Sequence, residues 1–221
     1  MTRILALILL FFPAPAYTGA WPRETGRVFT AAQLSFAELA DQTKDGYNSL
    51  YAEYGLSDVV TLGGKAWLRQ DGQYGDAMVF ARRSIAVSGD HWVSGELALG
   101  VRRYASGAIY PMIQPGISWG KGFGSKFGHG WMGIEAVYGL VPGTGDHWTK
   151  VDATLGLKPD NDTHLILQLR AHDDWLGRAV TFAPTYVRRI TPRLSVEAGL
   201  TRRLNGGAKG VGLLLGTWTE F

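Results

Sequence analysis

The sequence contains no cysteine. Disulfide staples, thiolate metal sites and cysteine nucleophiles are thereby excluded. Charge is scarce as well. Asp, Glu, Lys and Arg make up 19% of the chain, below the ordinary ~25%. The 22 basic and 19 acidic residues are mixed along the chain and leave a net charge of +3. A nucleic-acid partner, which needs basic residues gathered on one face, has no support. Beyond Ala20 no apolar run approaches the ~20 residues of a spanning helix, and no convincing 3.6-residue period appears.

Strand and turn formers are abundant instead. The 221 residues include 30 glycines, about twice the usual ~7% share. No G-X-Y period accompanies them, so the chain is not collagen-like. Aromatics reach 12%, with 8 Trp, which argues against disorder.

Residues 1–20 read as an export signal. Arg3 is the charged start, Ile4 to Phe12 is the apolar run, and small residues follow. Cleavage fits after Ala16 or after Ala20, leaving residues 21–221 as a single domain. The apolar run is short for a membrane anchor. No Cys follows it, so a lipoprotein anchor is excluded. An exported chain of strands is either soluble or crosses a membrane as a closed barrel, which alone satisfies its backbone there.

Twelve alternating segments follow: Arg27–Ala40, Gly46–Tyr54, Val59–Arg69, Asp76–Ser88, Trp92–Arg103, Ile109–Lys121, Gly130–Val141, Trp148–Lys158, Thr163–His172, Ala179–Ile190, Leu194–Leu204 and Lys209–Phe221. Their lengths suit tilted membrane strands of ~9–11 residues. Gly, Asn, Asp and Pro punctuate them, as turns require. Gly122–His129 reads as the longest turn. Within segments one face is apolar and the other small or polar: Leu165, Leu167 and Leu169 oppose His164, Gln168 and Arg170. Arg82 and Arg83 are adjacent, so one of them breaks the alternation; a bulge or a rim position resolves this.

Period alone does not separate a soluble barrel from a membrane one. Four features favour the membrane. The polar faces are small and sparsely charged. Trp and Tyr gather near segment ends (Tyr47, Tyr54, Trp92, Tyr104, Tyr110, Trp119, Tyr138, Trp148, Trp175 and Trp218), as interfacial girdles do. The segments are even in number with short turns. The last residue is aromatic. The fold expected is an all-β, antiparallel up-and-down transmembrane barrel of about twelve strands.

The final segment adds a resemblance. Lys209, Gly210, Leu213, Leu215 and Phe221 stand where the C-terminal assembly signal of Gram-negative outer-membrane β-barrels has its polar, glycine, apolar and terminal aromatic residues. Thr217 and Thr219 depart from that pattern, where apolar residues are commoner. The resemblance is to the class and implies outer-membrane localisation, contact with outer-membrane lipid, and delivery through the barrel-assembly machinery. Both chain ends then lie in the periplasm.

The charges assigned to the lumen are Glu53, Lys65, Arg69, Glu96, Glu135, Lys150, Asp152, Arg170 and Glu197, with Arg82 a further candidate. They form either a cross-barrel ion-pair network or a narrow mixed-charge channel. No single-sign ring appears, so strong ion selectivity is not expected. The function expected is a small passive pore for small solutes. Alternatives are a closed structural or partner-docking barrel, and a lipid-modifying enzyme. For the enzyme, His147, His172 and Ser106 would lie at the outer rim, but no His-x-Ser pair occurs on a strand. Asp146-His147 and His172-Asp173-Asp174 read as solvated loop acids rather than a Ca²⁺ site. No cofactor and no resident metal are expected.

Overall fold

The computed structural model describes residues 19–39, 44–174, 177–205 and 210–221. Residues 1–18, with Ala16 of the expected leader, lie outside the described residues, as do Trp175, expected in the girdle, and Lys209, expected in the assembly signal. Twelve strands form an antiparallel meander: β1 (Val28–Leu39), β2 (Lys44–Ser57), β3 (Val60–Arg69), β4 (Gly75–Ser88), β5 (His91–Arg103), β6 (Ile109–Ser125), β7 (Gly128–Leu140), β8 (His147–Asp160), β9 (Thr163–Asp174), β10 (Gly177–Arg189), β11 (Leu194–Arg203) and β12 (Gly210–Glu220). Each pairs with the next, and β12 returns to β1, closing the barrel. The seam runs from Phe29 opposite Glu220 to Leu39 opposite Gly210.

Period-two sequence becomes a two-faced wall because successive side chains leave a strand on opposite sides. On β4, Val79 is 69% exposed between Met78 and Phe80, which are 8% and 4% exposed. Leu50, Leu97, Leu99, Ile117, Leu167 and Leu200 likewise face outward. An apolar outer surface on a closed wall is the arrangement of a lipid-facing barrel. Inside, Phe29, Ala31, Trp131, Ile166, Val187 and Trp218 pack near the end where β1 begins and β12 ends, the termini end of the wall. Met78, Phe80, Ala98, Met112, Val141 and Trp148 form a second cluster, and Tyr51 touches both.

Three local readings change. Arg82 is buried and faces inward, whereas Arg83 is exposed on the outer side. The alternation survives this pair, and the irregularity comes just after it, between Ser84 and Ala86. The long turn over Gly122–His129 shrinks to Lys126 and Phe127, because Gly122 and Gly124 stay in the ladder opposite Trp131 and His129. The aromatic girdle is thinner than expected: Trp148 and Trp218 are 3% and 5% exposed and fill the interior. Tyr54 and Tyr138, at 44% and 45%, remain on the outer wall.

Candidate functional site

The inner wall of β2, β3, β4 and β5 carries a continuous chain of opposite charges. Arg82 and Glu96 stand opposite each other in the ladder, and so do Tyr51 and Lys65. Lys65 Nζ lies 2.7 Å from Glu96 Oε1. Arg82 reaches Glu96 Oε2 at 2.8 Å with one nitrogen and Glu53 Oε1 at 2.6 Å with another. The Tyr51 hydroxyl donates to the same Glu53 oxygen at 2.6 Å and accepts from Arg82 at 3.0 Å. The guanidinium fork suits this role, since its several donors can bridge two carboxylates at once. Buried ions need such full pairing, because each costs several kcal/mol to desolvate.

The other predicted lumen residues lie around the same interior. Arg69 pairs with Asp71 at 3.0 Å, beside the turn after β3. Lys150 pairs with Asp152 at 2.7 Å on β8. Asp152 stands opposite Glu135 on one side and Arg170 on the other. Arg170 donates to Gln168 Oε1 at 2.6 Å. Glu197 accepts from Gln33 at 2.8 Å and from the Trp218 indole at 3.0 Å. In the last strand, Leu213 and Leu215 face outward at 43% and 41% exposure, and Phe221 is 53% exposed.

A second charge cluster, outside the predicted set, sits at the mouth opposite the termini. Arg102 faces Asp76 across the β4–β5 ladder and grips both its oxygens at 2.8 Å. It also reaches Asp146 at 3.1 Å and lies 3.6 Å over the Trp148 ring. Asp146 is therefore a paired mouth residue rather than a solvated loop acid. Tyr104 donates to it at 2.6 Å. Burial and that hydrogen bond push the Tyr104 phenol up to about 12. The signal for this cluster was present in the alternation: Asp76 shares the inward parity of Arg82, and Arg102 that of Glu96.

The interior also holds the segment just ahead of β1. Residues 19–25 run into the barrel from the termini end. Arg23 pairs with Glu53 Oε2 at 2.6 Å and its backbone N–H donates to Thr61 at 2.8 Å. Ser94 donates to the Ala20 carbonyl at 2.5 Å, and Ala20 is fully buried. The Gly19 N–H points to Glu135 Oε2 at 3.3 Å. Trp21 packs against the cluster of Phe29, Trp131 and Trp218. Thr25 anchors the entry by donating to Asp58 at 2.6 Å. Gly55 makes room for the strap, because a Cβ there would stand 2.0 Å from the Glu24 carbonyl oxygen. Glu53 thus joins the wall to the strap, with Arg82 on one oxygen and Arg23 on the other.

The two histidines expected at the outer rim are tied elsewhere. His172 lies 2.9 Å from Asp174, and His147 lies 3.0 Å from the Gly145 carbonyl. Ser106 accepts from the Ala108 N–H in its own turn. Among the described residues, no serine hydroxyl contacts a histidine ring.

No family model matches the chain, and no curated protein matches it. Solved structures do resemble it. The KdgM porin in complex with disordered oligogalacturonate superposes with a TM-score of 0.64 at 7% identity, covering 87% of this chain and 99% of that one. The COG4313 outer membrane channel from Pseudomonas putida F1 gives 0.64 at 14% identity, covering 94% and 100%. The translocator domain of the autotransporter NalP from Neisseria meningitidis gives 0.57 at 10%, covering 90% of each chain. Porins and a translocator share this architecture, so the likeness speaks to fold and not to cargo. With its outward apolar belt and closed meander, the chain has the fold of the twelve-stranded outer-membrane β-barrels.

Proposed function

We propose that the chain is an outer-membrane barrel that conducts small solutes passively through a mixed-charge lumen, and that its N-terminal strap obstructs the periplasmic half. The observation that carries this reading is the strap itself. Gly19 to Thr25 lies across the interior, bonded to the wall at Glu53, Thr61, Ser94 and Glu135, where a solute would pass. Interior charge of both signs suits a polar conduit without strong ion selectivity. The similarity to small porins and channels supports the same reading, and non-enzymatic transport agrees with it.

A closed structural or partner-docking barrel is the second reading. The buried ladder from Lys65 through Glu96 and Arg82 to Glu53 favours it, because paired buried charge stiffens a wall. Planar-bilayer recording separates the two. The channel reading expects low or intermittent conductance from the full chain and steady, larger conductance after Arg23→Ser or deletion of residues 19–24. Silence from all three, with each barrel folded and heat-modifiable, sinks the channel reading in favour of the closed barrel.

Insertion by the barrel-assembly machinery through β12 belongs to the same proposal. Its support is the outward placement of Leu213 and Leu215 beside the terminal Phe221.

A further inference from the structure

The outer wall is not uniformly convex. An open groove of about 790 Å³ runs over it across β12, β1, β2, β3, β4 and β5. The floor is low because Ala32, Ala66 and Ala77 share one row of the ladder, with Leu50 between the first two. The neighbouring row leads from Leu215 and Leu34 through Asn48 and Leu68 to Gly75 and Arg103.

That second row climbs the wall. Leu215 and Leu34 are mid-strand residues of β12 and β1, whereas Gly75 opens β4 and Arg103 closes β5. Barrel strands tilt by ~35–45° from the membrane normal, so a row across the strands rises from the bilayer interior toward one surface. Here it rises away from the chain termini. Its lower part is apolar, and its upper end is a cation. Arg102 and Arg103 divide the work: Arg102 turns inward to Asp76 and Asp146, while Arg103 is exposed on the outer wall. Among the described residues, Arg103 has no carboxylate partner.

We propose that this groove is a lipid site that seats an acyl chain of lipid A from the outer leaflet, with a lipid A phosphate on Arg103. The inference rests on the reading of the chain as an outer-membrane barrel. Three features point to this occupant. The groove's volume is in the range that encloses a small-molecule ligand. Its lining is mostly apolar, with Leu34, Leu50, Leu68, Val101 and Leu215 outweighing the polar Asn48, as hydrocarbon needs. Its cationic end is a guanidinium, whose fork matches phosphate. The rim concerned is the one opposite the termini, where the outer leaflet lies.

Native mass spectrometry of the purified full chain tests this, with lipid A as probe and phosphatidylethanolamine as competitor. The expected result is one retained lipid A per barrel. Arg103→Glu lowers its retention at least tenfold, and Ala66→Leu with Ala77→Leu, which fills the floor, does the same. Arg202→Glu, an exposed arginine on β11 outside the groove, leaves retention unchanged; heat-modifiability reports that each variant is folded. Equal retention by Arg103→Glu, equal loss in Arg202→Glu, preference for phosphatidylethanolamine, or a lipid-free dimer each overturns the site. A chain that folds as a monomer without detergent overturns the membrane reading itself, which is a different failure.

Discussion

Arg82 and Glu96 stand opposite each other on β4 and β5, and the guanidinium that grips Glu96 at 2.8 Å reaches on to Glu53 at 2.6 Å. One cation therefore serves two buried carboxylates from β2 and β5, strands that do not pair with each other. Replacing Arg82 by Met leaves both acids facing each other without it. We expect a loss of about 3–5 kcal/mol, the cost of breaking a buried pair. The measurement is the urea midpoint of the reconstituted barrel. Adding Glu53→Gln and Glu96→Gln to Arg82→Met should recover part of that loss, because Arg23 and Lys65 then lose these carboxylate partners; a triple variant no better than the single one contradicts this account.

Gly156 and Gly139 serve as seats for rings. A Cβ on Gly156 would stand 2.0 Å from the Trp131 ring, and one on Gly139 would stand 1.9 Å from the Trp148 ring. Both rings are buried, at 4% and 3% exposure. Gly156→Val and Gly139→Val should each destabilise by about 1–3 kcal/mol through overpacking. Loss of the compact band on unheated gels at a lower temperature reports it. Gly122→Val, where open space surrounds the backbone, serves as the near-neutral control.

The mouth of the barrel should show a late-titrating tyrosine. Tyr104 lies in the turn after β5, and burial with the Asp146 hydrogen bond raises it from 10 to about 12. A raised pKa favours the protonated form in the folded state. The phenol's contribution to stability is thus complete below pH ~10 and fades as pH climbs through about 12. The absorbance titration of tyrosinate, wild type minus Tyr104→Phe, should centre near that upper value. A difference curve centred near 10 would count against the Asp146 contact.

The strap bears on where an export leader, expected over residues 1–20, would be cut. Gly19 and Ala20 both make contacts in the interior, to Glu135 and Ser94. Cleavage after Ala16 keeps those contacts, and cleavage after Ala20 removes them. We expect the intact mass of the mature protein to match a chain beginning at Tyr17. A mass beginning at Trp21 excludes this.

Much of the wall was legible because period two is a local property. Leu165, Leu167 and Leu169 against Gln168 and Arg170 assign two faces without any knowledge of neighbours. The strap was not legible, because residues 19–25 carry no period and adjoin the leader. Their role depends on Glu53, Thr61 and Ser94, which meet them only once the barrel closes. The Gly122–His129 misreading has a different cause. Glycine serves both turns and crowded strands, and here Gly130 accommodates the Phe123 ring inside a paired segment. The outer groove is lined by residues from six strands together, which no single segment encodes.

The seam between β1 and β12 has a consequence for the order of folding. Phe29 lies opposite Glu220, and Val28 exchanges backbone hydrogen bonds with Phe221 at 3.1 and 2.9 Å. These partners are separated by nearly the whole chain. Every other strand pair can form between neighbours in sequence, but this one waits for the last strand to arrive. Until then two raw edges remain, and lipid offers them no hydrogen bonds. Insertion and closure must therefore be one coupled event, limited by the longest-range contact in the molecule. The same seam is intolerant of slippage. Deleting one residue within β12 would shift its partners by one along part of β1, turning Leu213 and Leu215 toward the charged interior and Gly212 and Gly216 toward lipid.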